Sequence, residues 1–164
     1  MTKSFQPKSL RQRALEYLGK REYSYAELSQ KLKSQILKNG AEETDGSSAS
    51  EQISVILDDF KTRGWLSDKR FTEQMVHARQ VKFGVNKIAH ELRQKGVSQD
   101  LIADAIEKVK ECELDSAKEI WQKRFKTTPA NRDEWTKHAR FLQSRGFGFD
   151  VIKKVLNSKL EDDN

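Results

Sequence analysis

Residues 85–106, VNKIAHELRQKGVSQDLIADAI, and residues 135–156, WTKHARFLQSRGFGFDVIKKVL, align without a gap at an offset of 50. Lys87 falls on Lys137, Ala89 on Ala139, Leu92 on Leu142, Gly96 on Gly146, Asp100 on Asp150 and Ile102 on Ile152. Basic Lys95 falls on Arg145, and apolar Val97 on Phe147. A helix, a glycine stop and a second helix therefore occur twice. A fainter copy begins at Tyr25, where Tyr25, Leu28 and Leu32 precede Val85, Ile88 and Leu92 by 60 residues, so the first unit is the divergent one. Each unit offers one leading helix in addition to this pair. Three short helices bury their apolar faces only by packing on one another and on the next unit. The expected fold is all-α: three tandem three-helix repeats forming an elongated, curved array, with units at 9–66, 67–110 and 111–160.

Helix punctuation supports this reading. Ser24-Tyr25-Ala26-Glu27 reads as a capping box, with Tyr23 and Leu28 placed to staple it, and similar starts occur at Ser9 with Gln12, Ser48 with Glu51 and Asn131 with Glu134. Apolar periodicity then predicts nine helices, near 9–18, 24–37, 48–63, 67–82, 85–95, 98–110, 112–125, 132–144 and 148–160. Residues 39–50 are rich in Gly, Ser and acids and lack an apolar period, so a mobile loop is expected inside the first unit.

Composition narrows the function. In 164 residues, 35% are hydrophobic and 34% charged, so any buried layer is thin, as helical repeats allow. The mean hydropathy of −0.84 and the absence of a long apolar run argue against a membrane protein, and no apolar segment opens the chain. The single Cys112 has no partner for an internal disulfide or a zinc site, which fits a reducing cytoplasm. Net charge is +6, distributed as +6 over residues 1–38, −6 over 39–60, +5 over 61–110 and +1 over 111–164. Such a balance favours an acidic partner, nucleic acid or nucleoprotein, over a small ligand.

Signatures of catalysis are missing: there is no phosphate cradle, nucleophile elbow, metal-ligand pair or dinucleotide fingerprint. The chain reads as a binding protein without enzymatic activity, cofactor or metal. His77, His90 and His138 are scattered without ligand spacing and read as surface or packed residues. Trp65, Trp121 and Trp135 fall in apolar patterns and are expected in the core rather than as base-stacking platforms. Phe83 and Phe147, beside glycines and basic residues, are better placed for exposure, although packing is still the favoured reading. Basic residues recur at Lys61, Arg63, Lys69, Arg70, Arg79, Lys82, Lys87, Arg93 and Lys95. A solvated helix face would account for them, whereas a functional face requires that they converge.

The stretches GVNKIAHELRQKGV (84–97), RFLQSRGFGFDVI (140–152) and RGWLSDKRF (63–71) resemble the RecX family, bacterial regulators of the RecA recombinase. The resemblance covers roughly residues 9–158 and is most specific at Gly84, Lys87, Ile88, Leu92, Lys95 and Gly96. It implies three tandem three-helix units and a protein that binds within the groove of the RecA filament on DNA. Family members modulate, and mostly inhibit, strand exchange, ATP hydrolysis and RecA-stimulated cleavage of the SOS repressor. Carried over residue by residue, it makes Arg79, Lys87, Lys95, Arg140 and Arg145 expected partner contacts, joined by their basic neighbours Lys82 and Arg93. Gly84, Gly96 and Gly146 are expected to shape the backbone. The insertion at 39–50 departs from the tight connection expected in the family's first unit.

Lys95 and Arg145 each precede a glycine stop, where a cation also favours the helix dipole, so a purely structural role competes with contact. Among whole-protein readings, the filament regulator competes with a direct DNA-binding module. There, Tyr25 to Leu32 and Ile53 to Lys61 would form a helix-turn-helix, which the long insertion between them disfavours. A third reading is a protein-joining adaptor. With no heptad seam long enough for a coiled coil, a monomer is expected, and weak direct binding of DNA is compatible with the charge.

Overall fold

The computed structural model describes residues 7–39 and 48–158, in which eight α-helices and no strand occur. Most of the segment expected as a loop, 40–47, and the end of the last expected helix, 159–160, lie outside the described residues. The chain divides into two compact units, Met1–Phe71 and Thr72–Asn164.

In the first unit, α1 (Leu10–Leu18), α2 (Tyr25–Lys38) and α3 (Ala49–Thr62) start at the expected caps. Ser9 with Gln12 and Ser48 with Glu51 form reciprocal capping boxes. The Ser24 hydroxyl accepts from the Glu27 N–H at 3.1 Å, while the Glu27 carboxylate takes both terminal nitrogens of Arg21 at 2.9 and 3.1 Å. Ala14, Leu28, Leu32, Ile53, Leu57, Phe60 and Leu66 close the core. Trp65 departs from the expectation of burial and is 44% exposed. Gly64, at φ +73°, ends α3 in a left-handed turn that directs Leu66 inward and leaves the indole against Phe60 and beneath Arg63.

Helix α4 (Asp68–Arg79) leads from the first unit into the second, where α5 (Val85–Gln94), α6 (Gln99–Arg124), α7 (Arg132–Ser144) and α8 (Phe149–Asn157) follow. Gly96 (φ +71°) and Gly146 (φ +89°) turn the chain after α5 and α7, at the two positions matched in the sequence repeat. Ile88, Leu92 and Ile102 from one copy are buried, as are Leu142 and Ile152 from the other. Burying each aliphatic side chain contributes about 1.5–3 kcal/mol. Trp121 is 3% exposed and Phe147 is buried, whereas Trp135 is half-buried.

The helices expected at 98–110 and 112–125 are a single 26-residue helix, α6. Lys110, Glu111 and Cys112 contain no glycine, proline or cap residue, and the buried positions Val109, Glu113, Ala117 and Trp121 continue one face at i, i+4 spacing. Glu113 is the charged residue on this buried face. Its buried carboxylate accepts the Val85 N–H at 3.0 Å and so caps α5, whose own cap residue, Gly84, has no side chain to do it.

A candidate basic and aromatic interface

The segment 80–84 between α4 and α5, together with the first turn of α5, is fastened to the end of α7 by main chain. The Gly84 N–H donates to the Arg145 carbonyl at 2.8 Å, and the Asn86 N–H donates to the Gly146 carbonyl at 3.1 Å. The approach is close enough to require glycine on both sides. A Cβ on Gly84 would lie 2.6 Å from the Gly146 carbonyl, and one on Gly146 would lie 2.5 Å from the Lys87 Cβ.

This fastening assembles a cluster of cations around Phe83. Lys87 Nζ lies 4.3 Å from the ring centroid, and the Arg79 and Arg145 guanidinium carbons each lie 5.6 Å from it. Cation–π attraction supplies about 0.5–1 kcal/mol per exposed pair, which offsets part of the repulsion among three like charges. Arg79 also forms a salt bridge with Glu91 at 3.0 Å. With one carboxylate among three cations, the cluster retains a positive surplus.

A groove of about 610 Å³ adjoins the cluster through Arg145. Lys82, Lys123, Arg124 and Arg145 supply its charge, and Val81, Ile120 and Phe141 its apolar surface. Arg145 again lies over an aromatic ring, 5.4 Å from the Phe141 centroid. Arg140 stands apart in a smaller concavity of about 420 Å³ with Asn86, Trp135, Gln143 and Phe149.

Of the seven basic residues expected to contact a partner, Arg79, Lys87 and Arg145 converge on Phe83, and Lys82 joins Arg145 in the groove. Arg140 faces the second concavity. Arg93 is exposed in the last turn of α5, and Lys95 is the residue at which α5 ends, as Arg145 is for α7. Both helix-end placements raised from sequence therefore occur, but the Arg145 side chain also reaches two aromatic rings. Lys123, Arg124, Val81, Ile120 and Phe141 were not anticipated. A basic pair ending a helix was the available signal, but only the packing of α6 against α7 sets it beside Arg145.

Two buried titratable groups support the scaffold. Burial raises the Glu113 pKa, against the lowering effect of the Val85 N–H bond and Lys110, and burial lowers that of His138. His138 accepts from the Trp121 indole N–H at 3.2 Å and stacks on Phe125 with centroids 3.7 Å apart, the packed role expected of it. No group of His, Cys, Asp and Glu suited to a metal ion occurs among the described residues. No described helix is long and apolar enough to cross a membrane.

Repeated helix–glycine–helix units with a cationic, aromatic face define a helical-repeat protein. Residues 67–106 match the family model described as RecX, second three-helix domain, and residues 111–156 match RecX, third three-helix domain. A regulatory protein RecX from Leptothrix cholodnii is 41% identical over 148 residues, covering 90% of this chain and 87% of that one. One from Chromobacterium violaceum is 36% identical over 156 residues, covering 95% and 94%. The chain belongs to the RecX family. The crystal structure of RecX from Lactobacillus salivarius shares the fold, with a TM-score of 0.73 at 19% identity over 91% of this chain and 93% of that one.

Proposed function

We propose that this protein is a non-enzymatic regulator that binds the RecA–DNA filament and modulates, mostly by inhibition, its recombinase, ATPase and coprotease activities in DNA repair and the SOS response. It acts in the cytoplasm as a monomer, through three tandem units at 9–66, 67–110 and 111–160. The observation that carries this reading is the convergence of Arg79, Lys87 and Arg145 on Phe83 in a chain whose relatives are named regulatory proteins. Membership of the RecX family supports RecA as the partner. The positive surplus at the cluster supports an acidic surface, of the recombinase or of the DNA it coats, as what the site meets.

Binding of labelled protein to bare single-stranded DNA, and to the same DNA coated with ATP-bound RecA, tests the reading across a salt series. Preference for coated DNA with shallow salt dependence is expected, because a phosphate-dominated contact alone loses affinity steeply as salt rises. The double variant Lys87→Glu and Arg145→Glu, shown folded by circular dichroism, is expected to lose about tenfold or more in affinity for the coated DNA. Equal or tighter binding to bare DNA that vanishes with salt would replace this reading with a direct DNA-binding module. Unchanged affinity of the double variant would remove the Phe83 cluster from the interface.

A further inference from the structure

The groove beside the Phe83 cluster combines two chemistries. Val81 is 60% exposed and borders Ile120 in a concavity of about 610 Å³, inside the range of about 300–1,000 Å³ typical of ligand sites. Lys82, Lys123, Arg124 and Arg145 supply cations, and among the described residues no acid lines the groove. Lys123 pairs with Glu119 at 4.0 Å, more than 70% exposed on both sides, which holds little energy.

We infer that this groove binds an acidic protein segment carrying a bulky apolar side chain, which enters between Val81 and Ile120 while its carboxylates meet the surrounding cations. Nucleic acid fits less well. Phosphates would satisfy the cations but leave the aliphatic surface without a partner, and aliphatic side chains offer no ring for a base to stack on. Phe141, the one aromatic lining residue among those described, has its ring against Phe125 edge-to-face at 5.4 Å and the Arg145 guanidinium 5.4 Å from its centroid. An apolar anchor flanked by carboxylates uses both halves of the site, and the anchor supplies the selectivity that charge alone lacks.

This inference rests on the regulator reading in placing the segment on the filament's protein component, yet it can be tested without the filament. The probe is a fluorescein-labelled twelve-residue peptide of Asp and Glu with one central Phe, compared with the same peptide bearing Ser for Phe and with a single-stranded oligonucleotide of equal net charge. The Phe peptide is expected to bind about tenfold more tightly than the Ser peptide. Val81→Ser, at an exposed position that leaves the fold intact, should abolish that difference while sparing the oligonucleotide. Lys123→Glu with Arg124→Glu should weaken both peptides. Equal affinity of the two peptides overturns the inference, as does a Val81→Ser effect that falls equally on the oligonucleotide. If the Phe peptide fails while RecA-coated DNA still binds, the groove is refuted and the regulator reading stands. If the peptide binds as expected but coated DNA does not, the regulator reading fails alone.

Discussion

Three glycines in the second unit carry very different constraints although each lies beside a basic or aromatic residue. Gly146 sits at φ +89° with Lys87 backbone and Cβ atoms closer than any side chain tolerates, whereas Gly148 has nothing within 4 Å of where a Cβ would go. Gly84 has an ordinary φ of −83° but presses on the Gly146 carbonyl. Gly146→Ala should therefore lower stability by about 2 kcal/mol or more in urea unfolding, since left-handed strain and a backbone clash act together. Gly148→Ala should stay within about 0.5 kcal/mol of the parent. Much of this was legible in the sequence, because Gly96 and Gly146 occupy one position of the repeat. The pressing of Gly84 on Gly146 was not, because it depends on how α5 meets α7.

At the scale of the element, one buried acid on α6 caps α5. The periodicity predicted two helices, 98–110 and 112–125, where one runs through, and the Glu113 carboxylate within it caps α5 through the Val85 N–H. Removing it with Glu113→Ala leaves that N–H without its acceptor and should cost about 1–3 kcal/mol. Glu113→Gln keeps a carbonyl oxygen for the bond and should cost much less. The pH dependence has a definite sign. Because burial raises the folded pKa above the ordinary 4.5, the folded state holds the proton more tightly. The stability this group contributes is then fully present below 4.5 and is lost as pH rises through the folded value. Glu113→Gln should remove this decline, measured as the difference in unfolding free energy between parent and variant from pH 4 to 8. Helix starts were easier to place, because Ser9, Ser24, Ser48 and Asn131 announce themselves locally.

Over the whole molecule, periodicity made the all-helical repeat visible, while the cationic face required tertiary proximity. Arg79, Lys82 and Lys87 are near neighbours in sequence, so a local basic patch could be anticipated there. Arg145, Lys123 and Arg124 reach the same region from the ends of two other helices, and no spacing rule relates them. The continuous α6 also predicts cooperativity. It packs on α5, α7 and α8, so α5 to α8 should open in one step. Native-state hydrogen exchange should report a common opening free energy for the slowest amides of these four helices, whereas separate values for α5 and α8 would show that the copies unfold independently.

The bonds from Gly84 and Asn86 to the end of α7 are made by main chain alone, so the scaffold under Phe83 does not depend on which side chains it displays. Arg79, Lys87 and Arg145 can be exchanged beyond their first carbons at small cost to folding. Charge and reach at this face can thus change one substitution at a time on an unchanged frame. The glycines keep the architecture constant, and the cations around them are where adaptation has room to act.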